Sequence, residues 1–473
     1  MLPRLNRQTA HITTAYPERI VQFGGGNFLR AFVEWIVETL NQQTDFASSV
    51  VIVKATPQGS YDDLIAQDNL YHIRLHDLQN SQSVTHTQII TCVSRTVNPY
   101  ADYDSFLRLA RQPEIRFIVS NTTEAGITFD PAAKLEDHPS VNFPAKLTAF
   151  LYERWRHGLK GCIILPCELI EGNGDQLKQF VLQYAALWQL EPSFAAWIDS
   201  DNLFCNTLVD RIVSGFPKTG SEVVFQELGF EDRLLVEGEW YHSWIIEAPP
   251  TLAAELPIAQ TDLNVKIVDD VRPYRTMKVR ILNGVHTAMV PLGTFLGYET
   301  VRQAVEDPIL GEFLHHLLFE EILPSLAMPD AEPFAEAVLA RFRNPFIQHP
   351  LQSIALNSLS KFKARLIPSL IDYTNQHDQL PERLVLVFAA LIRFYKGEWH
   401  GQPIPLNDDP AQIAWFRQLW ESSVSARELS EQVLSKQSLW GTDLSTIPGL
   451  ADQLAADLIR IDTEDIRLLM QNP

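Results

Sequence analysis

The chain has 473 residues, too many for one ordinary hydrophobic core, so two domains, or one large α/β domain with a substantial appendage, are expected. Apolar residues make up 46% and charged residues 20%, with no long biased tract, which excludes a disordered or fibrous chain. Lys and Arg number 38 against 58 Asp and Glu, and the formal charge of −20 excludes a broad nucleic-acid surface, because phosphate binding needs a cationic footprint.

The N-terminus shows no basic segment followed by an apolar run and a small-residue cleavage site. No stretch approaches the ~18 apolar residues needed to span a bilayer, so a cytoplasmic protein without a membrane partner is expected. Residues 19–166 then alternate β-branched runs with amphipathic stretches: "RIVQFGGG", a helical stripe of Leu29, Phe32, Val33, Ile36 and Leu40, then "VVIVKA", "IRFIVS" and "GCIILP". Such alternation predicts an α/β fold, a parallel sheet covered by helices. Cys92, Cys162, Cys167 and Cys205 lie in or beside apolar segments and form no C-x-x-C pair, so they read as buried thiols, and no metal site is expected.

"IVQFGGGNFLR", residues 20–30, follows the first strand and opens the first helix, where a nucleotide-binding turn would sit. Gly24 suits a tight turn, Gly26 lets backbone approach a pyrophosphate, and the helix start offers unpaired N–H groups. Leu29 stands where G-x-G-x-x-G has its third glycine, so a plain turn is the alternative. A carboxylate that would bind the adenosine ribose is missing after strand two, where Lys54, Ala55 and Thr56 stand; Lys54 even suits a 2′-phosphate, and NAD against NADP stays open on this rule.

"LNVKIVDDVRPY", residues 263–274, reads as a last strand and a crossing between domains, giving residues 1–272 and 273–473. From Thr276 onward helical periodicity dominates, with long segments at 276–297, 311–323, 350–373 and 382–395. Within "MKVRILNGVH", residues 277–286, an ideal α-helix puts Lys278, Asn283 and His286 at about 0°, 140° and 80° around the axis, on one side. Singly, each reads as an ordinary snorkelling, capping or core residue. Together they offer a base and oxyanion donors for removing hydride from a secondary alcohol, provided the lysine's setting is dry.

"KVRILNGVH" resembles the K-x-x-x-x-N-x-x-H signature of the polyol-specific long-chain dehydrogenases, the mannitol dehydrogenase family, and "GGGNFLRAF" is similar to that family's glycine turn. "SNTTEAG", "NTLVDRI", "DDVRPY" and "LSKFKARLIP" extend the resemblance over residues 18–465. It implies an N-terminal Rossmann-type domain that binds NAD, followed by a mostly α-helical C-terminal domain, and a small sugar-acid substrate. Further wording, "PCELIEGNG" and "RFRNPFIQHPLQSIALNSLSK", resembles the branch that interconverts D-altronate and D-tagaturonate; fructuronate/mannonate, a neutral polyol, or NAD binding without catalysis are the alternatives. By the same resemblance Lys278 is the general acid/base, Asn283 polarises the reacting oxygen and His286 orients the substrate. Asp210 and Lys361 fall at substrate positions; Gly24, Gly25, Gly26, Asn27, Phe28, Leu29, Arg30, Ser120 and Glu124 fall at the cofactor. Two departures surround the substrate: Leu169 replaces a second oxyanion asparagine, for which Asn173 is the candidate substitute, and Ser353 replaces an arginine. Lys363 and Arg365 read as a solvated face.

Overall fold

Runs of β-branched residues buried on both faces build the centre of the N-terminal part, as parallel strands require. The computed structural model describes residues 2–473 except 80, 81, 123–125, 141, 327, 347, 348 and 423. It divides into two compact units, residues 1–272 and 273–473.

In the first unit the strands are β1 (Glu18–Phe23), β2 (Ser49–Val53), β3 (Tyr71–Gln79), β4 (Gln82–Ile90), β5 (Val93–Val97), β6 (Phe117–Ser120) and β7 (Ile163–Pro166). They are followed by β8 (Leu203–Phe204), β9 (Asn206–Asp210), β10 (Val213–Gly215), β11 (Val236–Glu239), β12 (Ser243–Glu247) and β13 (Val265–Val268). An all-parallel sheet has the order β5-β2-β1-β6-β7-β8. This is the doubly wound order, with its reversal point between β1 and β6, where the strand ends open a crevice for a ligand. The β3/β4 hairpin, inserted between β2 and β5, joins a second sheet ordered β10-β11-β3-β4, and β13-β12-β9 forms a third. Of these two smaller sheets only β13 falls on an expected strand; β3 and β4, nine residues each, carry His, Arg, Gln and Thr among their apolar positions, so no uniform apolar run marks them.

The first helix runs over residues 27–43, and its Arg30–Glu34 segment is π-helical. Arg211, directly after β9, ties this helix down. Its guanidinium stacks 4.2 Å over the Trp35 ring and donates to the carbonyls of Ala31, Trp240 and Tyr241. All four cysteines are free and buried, and burial pushes the thiols up, to about 11 for Cys162 and about 12 for Cys205.

The second unit is helical apart from a short ribbon of Glu398–Trp399 against Gln402–Pro403. Its axis is the helix Glu382–Phe394, buried from Leu384 to Phe394 and packed against the helices Asn283–Phe295 and Leu450–Thr463. The expected helix at 350–373 breaks into Leu351–Ala355, Ser358–Arg365 and Ile367–His377. Asn357 takes a left-handed φ of 55° at the first break, and Pro368 opens the third piece. Among the described residues no helix is long and apolar enough to cross a membrane.

Glu321, on the π-helical segment Leu317–Ile322, accepts the backbone N–H groups of Arg383 and Leu384 and so caps the central helix. Burial pushes its carboxyl up to about 7. A raised folded-state value means that the native state holds a proton the unfolded chain has lost, so stability from this site falls as pH rises through roughly 5 to 7. Glu321→Gln should flatten that part of the thermal-midpoint profile of the chain; an unchanged slope would assign it to other acids.

Candidate functional site

The N-terminal glycine turn lies at the reversal point of the sheet. Gly24 has φ 109°, which L side chains rarely adopt, and its N–H donates to the Val53 carbonyl. A Cβ on Gly24 would stand 3.4 Å from the Asn121 carbonyl that follows β6, whereas one on Gly25 would meet the Tyr61 ring at 3.1 Å. Gly26 begins the helix, and nothing lies within 4 Å of where its Cβ would be, so an open cradle faces the helix start. That space and the orphan N–H groups of a 17-residue helical run, residues 27–43, fit a dinucleotide pyrophosphate.

The side chains named for the cofactor are placed unequally. Gly26 and Asn27 are exposed and Phe28 is half-buried, stacked on Phe32. Leu29 is in the core, and Arg30 is buried with its guanidinium on Asn27 Oδ1, the Leu234 carbonyl and the Tyr71 ring. Ser120 ends β6 and donates to Glu168, which also accepts the N–H and hydroxyl of Thr122. Burial raises the carboxyl pKa of this Glu168. It braces the strand-end loop and was missed by sequence reasoning, although its place just beyond β7 marks the ligand side of such a sheet. Glu124 lies outside the described residues.

Two lysines pin the loop after β2. Lys54 Nζ donates to the Pro57 and Gly59 carbonyls at 3.2 and 2.6 Å, and buried Lys146 donates to Ala55 at 2.8 Å. Burial pulls Lys146 down to about 8. Lys54 is therefore committed to its own loop. Asp210, the last residue of β9, is half-buried and pairs with Ser243 in register. Asn173, whose part as a substitute the sequence leaves open, has a buried side chain that donates to the carbonyls of Pro166, Glu168 and Thr207 while accepting two backbone N–H groups. It is a backbone pin, and leaves no donor to replace an asparagine at the exposed Leu169.

In the C-terminal unit, Lys278 to Leu282 form a π-helical turn between the helices Arg272–Met277 and Asn283–Phe295. The Asn283 N–H donates to the Lys278 carbonyl, five residues back. The ideal α-helical spacing assumed from sequence is thus replaced by a wider turn, which narrows the angle between Lys278 and Asn283 around the axis. Arg280 holds the turn. It is buried and reaches Ser369 Oγ, Asp372 Oδ2 and Ser325 Oγ at 2.9, 2.6 and 2.9 Å. Gly284 allows the neighbouring chain close, since a Cβ there would sit 3.3 Å from Leu366. Lys278 and Asn283 are half-buried, and His286 is buried, stacked on Phe342 at 4.2 Å with the His349 ring edge-on at 5.0 Å.

Lys361 is half-buried, donates to the Ile354 carbonyl, and has its pKa lowered by burial and by neighbouring Arg365. The same burial, with Lys361 nearby, lowers His349. Arg365 is turned inward, against the expected solvated face, because its Nη1 donates to Thr287 Oγ1 at 3.0 Å and approaches the Asn283 carbonyl at 3.5 Å. Lys363 lies over Gly441, and Ser353 is exposed. Among the described residues no group of three or more His, Cys, Asp or Glu is placed to hold a metal ion.

Residues 18–260 match the mannitol dehydrogenase Rossmann domain and residues 270–462 the mannitol dehydrogenase C-terminal domain. The chain is 46% identical to the altronate oxidoreductase of Bacillus subtilis (strain 168) over 465 residues, covering 97% of this chain and 96% of the relative. It is 44% identical to the altronate oxidoreductase of Klebsiella pneumoniae (strain 342), with 96% and 97% covered. The fold is similar to that of Pseudomonas fluorescens mannitol 2-dehydrogenase, solved as a ternary complex with NAD and D-mannitol (TM-score 0.70, 21% identity, 99% of this chain and 100% of that one). It also resembles a substrate-free D-sorbitol dehydrogenase (TM-score 0.81, 21% identity, the same coverage).

Removing the Arg280 guanidinium leaves a wide turn without its brace. Arg280→Ala should lower stability by about 3 kcal/mol and speed hydrogen exchange at the Asn283 amide. Wild-type exchange at that amide would show that the turn holds itself.

Proposed function

The chain belongs to the mannitol dehydrogenase family, and from that premise we propose that it is a cytoplasmic, NAD-dependent oxidoreductase interconverting D-altronate and D-tagaturonate in hexuronate breakdown. The observation that carries the reading is the hydrogen bond from the Asn283 amide to the Lys278 carbonyl, which folds an amine-bearing and an amide-bearing residue into one turn, with His286 three residues on. The altronate oxidoreductases, related over nearly the whole length, support the sugar-acid substrate.

NAD held on the glycine turn would supply the hydride acceptor for oxidation of the alcohol, and its reduced form the hydride donor for reduction of the ketone. The protein's residues manage the oxygen and its proton. Lys278 Nζ takes the hydroxyl proton during oxidation and gives it back during reduction. The Asn283 side-chain amide donates to the same oxygen as negative charge develops, which favours the transition state over the ground state. His286, its ring plane fixed on Phe342, orients the substrate through a hydroxyl. Lys361 holds a further substrate oxygen. Around the cofactor, the Gly24–Gly25–Gly26 turn and Asn27 receive the pyrophosphate, with Phe28, the backbone of Leu29 and Arg30, and Ser120 flanking it. The engagement of Lys54 with Pro57 and Gly59 supports NAD over its 2′-phosphorylated counterpart.

Tagaturonate reduction followed with NADH and NADPH in parallel, beside oxidation of altronate, mannonate and mannitol, tests substrate and cofactor together. NADH and altronate should win; a preference for mannonate or mannitol would move the enzyme to a sister activity. Lys278→Ala should cut kcat on the order of 1,000-fold at near-normal NADH affinity by fluorescence titration, and wild-type turnover would require another base. Lys361→Ala should raise the KM for altronate with less effect on NAD; an unchanged altronate KM would remove Lys361 from the site.

A further inference from the structure

Arg365 is the last residue of the helix Ser358–Arg365, one turn after Lys361. Its Nη1 is held by Thr287 Oγ1 and the Asn283 carbonyl, so the guanidinium is fixed to the turn that carries the reacting-oxygen donor. The rest of the planar fork, Nε and Nη2, makes no hydrogen bond among the described residues, and Arg365 forms no ion pair with any described carboxylate. Burial already presses on this cation.

The neighbouring charges do not relieve it. Lys361 adds positive charge, and Asp408, the acid that acts on Lys361, is engaged by the Leu359 N–H and the Tyr395 hydroxyl. His349 flanks Lys361 and faces the His286 ring. In a chain of formal charge −20, two half-buried cations with so little local counter-charge are costly unless an anion completes them. A guanidinium with an open edge matches a carboxylate bidentately, which a lysine cannot do.

We propose that Arg365 receives the substrate carboxylate on its open edge, with Lys361 beside it, and is the residue that sets the preference for sugar acids over neutral polyols. This rests on the sugar-acid reading above and deepens it. Because Nη1 is anchored on Thr287 and Asn283, the carboxylate would be gripped at a fixed offset from the Asn283 turn. Recognition of the charged end then sets the position of the reacting carbon.

The test compares tagaturonate with the neutral ketose that has a hydroxymethyl group in place of the carboxylate, as substrate or as competitive inhibitor, using full-length wild type, Arg365→Ala and Arg365→Lys. Arg365→Ala should lower kcat/KM for the acid on the order of 100-fold, mostly through KM, and affect the ketose far less. Arg365→Lys should recover part of the loss, and millimolar guanidinium should rescue Arg365→Ala on the acid alone. Equal losses on acid and ketose, without guanidinium rescue, would reduce Arg365 to a brace for the Asn283 turn. Wild-type kcat/KM for the acid in Arg365→Ala would remove it from the site while leaving the sugar-acid reading intact. A wild-type enzyme that takes the ketose and refuses the acid would overturn that reading, and the carboxylate role with it.

Discussion

The hydrogen bond from the Asn283 N–H to the Lys278 carbonyl is the constraint on which the C-terminal arrangement depends. A π turn has poorer backbone geometry than an α turn and persists only where surrounding contacts over-determine it. Here Arg280 supplies them, clamping the turn through Ser325, Ser369 and Asp372 on two other helices. Arg280, whose side chain stabilises the turn, sits within the same five residues as Lys278, while Asn283 and His286 follow on the next helix. Structural and chemical roles are thus separated within one turn of helix.

The N-terminal unit repeats the device. Its own π segment, Arg30–Glu34, follows the glycine turn and turns Arg30 and Glu34 inward, where Glu34 accepts from Gln22 and from the Tyr71 hydroxyl. In both units a wide turn follows or carries the sequence motif, and buried polar contacts hold it. A third π segment, Leu317–Ile322, carries Glu321 to the start of the central helix. Glycine at 24 and 284 serves the same end of close approach by different means, a left-handed φ in one case and a missing Cβ against Leu366 in the other.

Much of this was legible in the residues. The buried runs at 20–23, 50–53, 117–120 and 163–166 announce a parallel sheet, since only strands covered on both faces are so uniformly apolar. The tight turn at Gly24 was legible in its glycines, and the Lys278–Asn283–His286 spacing raises the expectation of a ligand. The π turns were not legible, because one added residue barely disturbs an apolar stripe while it changes which polar residues share a face. Arg365 was misread for a related reason: a basic run such as Lys361, Lys363 and Arg365 looks the same whether or not the helix carrying it turns inward. The bonds to Thr287 and to the Asn283 carbonyl distinguish the two. Asn173 shows the opposite case, a polar residue in a motif whose donors and acceptor are claimed by backbone.

The lysines beneath the loop that follows β2 bear on how this scaffold could change its nucleotide. Lys54 and Lys146 act there as tent pegs, staking the carbonyls of Ala55, Pro57 and Gly59 in place. A cation at that address looks like a head start toward an extra phosphate, yet pulling either peg would slacken the ground on which the new group must land. Evolution toward the other coenzyme would have to recruit its charge from a different position on the loop and keep these two where they stand.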